Sequence, residues 1–274
     1  MRGTGIYSAT PAECRLTTDG LEGVVDAELL LFVVLVAIGG YVQTVAGFAM
    51  GMIMVAGSSA LALYPLPVTT AVISLVSLLN ISLSLPGHLH RIHRRGFLLM
   101  CAGQIPMIGV GVMTLEWLDA SAERVLSMLL GSFILIGCAS MMIKPEPKAE
   151  VSGSAAFFAA GLGGGMLGGM FSAAAPVMGW FVYRQPMMIA ELRATLLACF
   201  AISTTVRTAV VGAGGGLTSD VLTLALASVP MVLLSAWLGR RFPPPISELA
   251  LRRLAFTLLC GMGLWILISA LLHA

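Results

Sequence analysis

The chain has 274 residues, 58% of them hydrophobic and 10% charged, with a formal net charge of +2. Soluble domains carry about 25% charged residues, so the composition is that of a polytopic membrane protein, and the absence of a long basic run argues against nucleic acid as a partner. Four of the five cysteines, Cys101, Cys138, Cys199 and Cys260, sit in apolar segments and read as small hydrophobes rather than a disulfide framework; no metal or other cofactor is expected.

Residues 1–26 are polar and mixed in charge, without the basic start and apolar core of a signal peptide. They are expected to form a flexible N-terminal extension. Apolar sequence then runs from Ala27 to Tyr64, too long for a single span of about 20 residues. Two segments meeting between Gln43 and Gly51 are expected, with Pro67 opening the next helix. The loop from Gly87 to Gly96 holds Arg91, Arg94 and Arg95 with His88, His90 and His93; these histidines lack a nearby carboxylate and read as loop rather than metal or proton-relay groups. A span over residues 97–115, an acidic loop with Glu116, Asp119 and Glu123, and a span over residues 125–143 complete the first half.

Residues 144–153, with Pro145 and Pro147 among four charges, form a boundary. The glycine-rich stretch from Gly161 to Arg184 follows. Its six glycines and Pro176 within sixteen residues predict an interrupted helix, since glycine costs about 1 and proline about 3 kcal/mol relative to alanine in a helix interior. Spans over residues 190–211 and 221–239, an arginine-rich loop over residues 240–253 and a last span ending at Leu272 finish the chain.

The halves superpose: Gly47 falls opposite Ser172, Pro106 opposite Pro230 and Arg124 opposite Arg252. The fold class is therefore all-α, about eight transmembrane helices in two repeats, residues 27–143 and 154–274, joined by the linker 144–153. Basic loops lie on the cytoplasmic side. Matching loops then take opposite sides, as inverted repeats require, and the linker is cytoplasmic.

Interrupted helix is tolerated in hydrocarbon only where protein or a wet cavity surrounds its backbone, and in transporters such breaks hold the ligand. Restarting at Pro176, the amides from Ala173 onward would offer an anion the positive end of a half-helix. Ser172 would cap that start. The break at Gly47, with Gln43, Thr44 and Gly51 beside it, would supply a second donor set. Glycines such as Gly168 and Gly169 would let backbone approach the ligand, or would only let helices pack closely. Arg207, within a span, is either an anion contact or a snorkelling residue. Asn80 could bond ligand or a neighbouring helix.

Gln43, Gly47, Phe48 and Gly51 in the first half resemble a motif of the TauE/SafE family of sulfite and organosulfonate permeases. So do Gly168, Gly169, Pro176, Arg193, Thr195 and the run WLGRRF from Trp237 to Phe242 in the second. The family's second motif usually carries glycines where this chain has Ser172, Ala174 and Ala175. The resemblance implies a multi-pass carrier of the cell inner membrane with a small anionic substrate and a coupling proton or sodium ion. A passive anion channel or a scaffold subunit is the alternative. An intramembrane enzyme using Ser172 as nucleophile lacks a base within reach, so no enzyme activity is expected.

Overall fold

The computed structural model describes residues 18–46, 50–142, 148–242 and 248–272. These form ten α-helices: α1 (Thr18–Ala46), α2 (Met50–Ala60), α3 (Leu66–Ser84), α4 (Arg94–Ser121), α5 (Glu123–Met142), α6 (Ser154–Phe171), α7 (Ala175–Tyr183), α8 (Ile189–Ala213), α9 (Ser219–Arg241) and α10 (Glu248–Leu272). No strand occurs among the described residues, and seven helices are long and apolar enough to cross a membrane. The protein is an all-helical, polytopic membrane protein.

Two helices are short. At 11 and 9 residues, α2 and α7 rise about 16 and 13 Å, roughly half of a hydrocarbon core about 30 Å thick. Each folds back on the helix before it. Gly39 of α1 lies against Met50 at the start of α2, whereas Gly57 near the end of α2 lies against the earlier residue Leu35. Gly168 of α6 likewise meets Ala174, and Gly164 meets Met178. Both interrupted segments are thus antiparallel hairpins. The second is tied at its mouth: the Lys148 N–H donates to the Arg184 carbonyl (2.8 Å) and the Ser152 N–H to Gln185 Oε1 (2.9 Å), so it enters and leaves on one side.

Packing repeats between the halves. α4 lies on α6 and α8, as α9 lies on α1 and α3; α5 touches α7, as α10 touches α2. α4 runs parallel to α6, because Met100, Gln104 and Ile108 face Gly161, Gly165 and Gly169 in constant register. α9 runs parallel to α1, with Ser235 against Gly40 and Gly239 against Thr44. α5 and α10 run antiparallel, with Gly131 against Leu267 and Ile134 against Gly263, and Arg124 Nε donating to the Ala270 carbonyl (2.9 Å). Two matching spans of this framework, α4 and α9, both carry an internal proline, Pro106 and Pro230.

Charge separates along the bundle axis. Arg95 bonds Ser154 Oγ (2.8 Å) and Arg240 bonds the Leu83 carbonyl (3.1 Å), which gathers Arg91, Arg94, Arg95, Lys148, Arg184, Arg240 and Arg241 at one end. Glu116, Asp119, Glu123 and Asp220 lie at the other, with Arg124 among them, and Glu191 stands beside Arg91 at the first.

Three expectations change. α1 begins at Thr18, inside the presumed extension, and residues 1–17 lie outside the described residues. Glu116 and Asp119 are not in a loop: α4 runs unbroken to Ser121, and its 28 residues, about 42 Å, let the final acidic turns stand beyond the hydrocarbon. The third concerns the glycines. α6 passes helically through all six and stops only at Ser172, because Gly161, Gly165 and Gly169 press onto α4 backbone with no room for a Cβ. Close packing outweighs their poor helix propensity.

Candidate functional site

The tips of the two hairpins meet. Ser172, the C-cap of α6, has left-handed backbone (φ 54°, ψ 24°), a conformation costing a non-glycine residue about 1–2 kcal/mol, and its N–H closes the helix on the Gly168 carbonyl (3.0 Å). Gly51, in the first turn of α2, sits directly on the Ser172 carbonyl and Ala173 Cα; a side chain there would separate the hairpins. Ala174 and Pro176 then open α7. Its first bond within the helix runs from the Met178 N–H to the Ala174 carbonyl (3.2 Å), so the amides of Ala175 and Val177 have no acceptor in their own helix.

Beside this crossing is a small cavity of about 40 Å³, lined by Ser172–Ala175 and by Gln43, Gly51, Met52, Ser77, Ile81, Phe200, Ser203 and Thr204. Gln43 (α1), Ser77 (α3) and Ser203 (α8) are buried, at 7%, 5% and 5% exposure, and their side chains make no hydrogen bond among the described residues. Thr204 Oγ1 instead donates back to the Phe200 carbonyl (2.9 Å). Every lining residue is uncharged.

A charge stands behind the wall. Arg207 of α8 is 1% exposed. Its Nε donates to the Gly169 carbonyl (2.9 Å), Nη1 to the Thr70 carbonyl (2.7 Å) and Ser74 Oγ (2.9 Å), and Nη2 to Thr70 Oγ1 (2.8 Å). Ser74 Oγ is in turn 2.8 Å from Ser172 Oγ. The guanidinium therefore reaches the cavity through two hydroxyls.

This layout settles the polarity of the break. Ending α6 exposes the negative pole of its carbonyls, and starting α7 exposes the positive pole of its amides. Arg207 donates to the Gly169 carbonyl, and Gly51 in the first turn of α2 packs against the Ser172 carbonyl. Ser172, Ala173, Ala174 and Ala175, which lead into the amide end of α7, are among the residues that line the cavity.

Of the sequence-predicted residues, Gln43, Gly51, Ser172 and Ala173 line the cavity. Thr44 does not: its hydroxyl donates to the Gly40 carbonyl (2.8 Å) and its methyl packs on Gly239. Gly168 and Gly169 lie behind Ser172, the latter on α4. Pro176 shapes the start of α7 and packs on Gly137. Gly47 and Phe48 lie outside the described residues. Ser172 does not cap α7, since its left-handed backbone turns the hydroxyl to Ser74 and α7 has no side-chain cap. Arg207 does not snorkel; four bonds to buried acceptors hold it inward.

Sequence reading passed over Thr70, Ser74, Ser77, Ser203 and Thr204. Thr70, Ser74 and Ser77 recur at i, i+4 and i+7, one face of a helix, and that stripe was the available signal. His93 caps α4, Nδ1 accepting from the Gly96 N–H (3.1 Å). Asn80 is fully buried between Gly40 and Ser235 and bonds neither ligand wall nor helix among the described residues.

Residues 31–266 match the model of the sulfite exporter TauE/SafE family. The chain is 42% identical over 249 residues to a probable sulfite/organosulfonate exporter TauE of Cupriavidus necator, covering 89% of this chain and 97% of that relative. No solved structure matches it. On the family match over most of its length and on this relative, the chain belongs to the TauE/SafE sulfite exporter family.

Proposed function

We propose that the protein is a secondary transporter of small sulfur-containing anions, sulfite or organosulfonates, across the cell inner membrane, and that the anion sits in the cavity where the two hairpins cross. One observation carries the reading: a buried pocket combining the amide start of α7 with the unpartnered polar side chains of Gln43, Ser77 and Ser203, and no carboxylate on its wall. Oxyanions are held by such donors. The family and the name of the relative support the sulfur-anion class.

The repeated packing supports alternating access as the mechanism. The repeats 27–143 and 154–274 each present a hairpin tip to the same cavity; because α4 is seamed to α6 and α9 to α1 across the repeats, the bodies that would rock are the α4–α6–α8 and α9–α1–α3 groups, exposing it to one side and then the other. The arginine-rich end, with the linker 144–153, is the cytoplasmic face by the positive-inside rule. Proton or sodium coupling is read from the same assay by imposing either gradient.

Proteoliposomes loaded with labelled sulfite provide the test. Efflux should saturate and should be accelerated by unlabelled sulfite or taurine on the opposite side. Ser172→Leu, which fills the cavity, should abolish efflux without loss of protein from the membrane. Unchanged flux in Ser172→Leu would remove the cavity from the reading, and non-saturating flux without counterflow would favour a channel.

A further inference from the structure

The charge inventory around the cavity sharpens the substrate class, given the transport reading above. The wall supplies only neutral donors. α2, α3 and α6, which form the crossing and the Arg207 socket, contain no ionisable side chain, and α7 contains only Tyr183, at its far end. On α8, Glu191 and Arg193 precede Arg207 by 14 or more residues, about 21 Å; the thiol of Cys199 is the nearer ionisable group on that helix. On α1, residues 27–46 offer Glu28 and Tyr41, whose hydroxyl is bonded to the Phe242 carbonyl (3.1 Å). On α4, the exposed Glu116 opposes the guanidinium charge. Asp119 follows it, and Arg94, Arg95 and Cys101 belong to the opposite end of α4. Arg207 itself bonds only to neutral oxygens.

We infer that the cavity is built for a singly charged oxyanion, bisulfite or a sulfonate, and rejects the dianions sulfite and sulfate. One guanidinium, already opposed by Glu116, balances at most one further negative charge. A second negative charge would enter a site whose wall holds no cation to meet it, and a buried charge left unpaired is costly.

The hydroxyl pair explains how the charge is delivered without contact. Ser74 has one proton, given to the Thr70 carbonyl (3.0 Å), which leaves Ser172 to donate to Ser74. When an anion arrives, Ser74 can turn its proton to Ser172, and Ser172 its own to the anion. Arg207, Ser74 and Ser172 then form one chain of donors ending at the ligand, each bond polarising the next.

The test uses the intact protein in proteoliposomes with labelled methanesulfonate, a monoanion at every pH used. Total sulfite should compete about tenfold better at pH 6 than at pH 8, in step with its conversion to bisulfite near neutrality. Unlabelled methanesulfonate should compete equally at both, and sulfate at neither. Equal potency of total sulfite at the two pH values, or competition by sulfate as strong as by methanesulfonate, would overturn the inference while leaving transport intact. Absence of saturable methanesulfonate and sulfite flux at either pH would instead remove the transport reading and this inference with it. Ser74→Ala should raise the half-saturating methanesulfonate concentration several-fold with the pH pattern of sulfite unchanged. A Ser74→Ala protein that binds methanesulfonate normally would show that the hydroxyl chain does not carry the charge.

Discussion

The two hairpins do similar work with different materials. α6 is glycine-rich and lies against α4 along a seam in which Gly161, Gly165 and Gly169 touch backbone of Met100, Gln104 and Ile108. α1, its counterpart, meets α9 through side chains: Gly40 faces the Ser235 hydroxyl, and Thr44 lies on Gly239. One hairpin is locked backbone to backbone, and the other rests on groups that can rotate. Glycine density therefore reports how closely the helices must approach, while the break itself falls at Ser172, which is not glycine.

Adding a side chain to each seam should break this comparison most sharply. Gly165→Val drives a branched group into the Gln104 carbonyl and Cα; neither can move without separating α4 from α6. Overpacking costs about 1–3 kcal/mol where side chains can shift, and here only backbone is available, so loss of folded protein in detergent is expected. Gly40→Ala meets mainly Ser235 Oγ and should lower Tm by only a few degrees. Equal losses in the two variants, read by thermal unfolding in detergent, would remove the distinction between the seams.

Arg207 joins the stiff hairpin to α3, and its removal should be the next largest effect. Arg207→Met removes the side-chain donor to the Gly169 carbonyl, while the Thr70 carbonyl, Thr70 Oγ1 and Ser74 Oγ keep other partners; a buried group left with none costs about 1–3 kcal/mol. Arg207→Lys keeps the charge but cannot span α6 and α3 with one planar fork. The lysine variant should recover most of the thermal stability lost in Arg207→Met, yet transport methanesulfonate with a higher half-saturating concentration. Wild-type transport in Arg207→Met would show that neither the socket nor its charge matters to the site.

Much of this was legible beforehand. Helix number, the paired interruptions and the charge segregation follow from hydropathy, proline placement and loop arginines, which act locally. The position of the second break was legible too, because Pro176 forces a helix start nearby. The role of the glycines was not, since propensity is a property of one helix and the α4–α6 seam is a property of two. Arg207 was visible as an anomalous charge, but its partners Thr70 and Ser74 lie more than 130 residues away and carry no signal except a hydroxyl stripe on α3. Local chemistry gave Gln43 and Ser172; the third wall, Ser77 facing Ser203, needed the fold.

Ser172 offers the smallest and most discriminating change. Its φ of 54° is free to glycine and strained in serine, so Ser172→Gly should relieve up to about 1–2 kcal/mol. Against that, the variant loses the bond to Ser74 Oγ, worth about 0.5–1.5 kcal/mol, so net stability should rise slightly or stay level. Transport should move the other way, because glycine keeps the break and the amide end of α7 but ends the hydroxyl chain at Ser74. A several-fold higher half-saturating concentration at unchanged or higher Tm is the expected pair of results. Serine at this position then trades backbone ease for a donor that glycine cannot supply. Unchanged transport together with a raised Tm would mean that the left-handed backbone, and not the hydroxyl, is what the site requires.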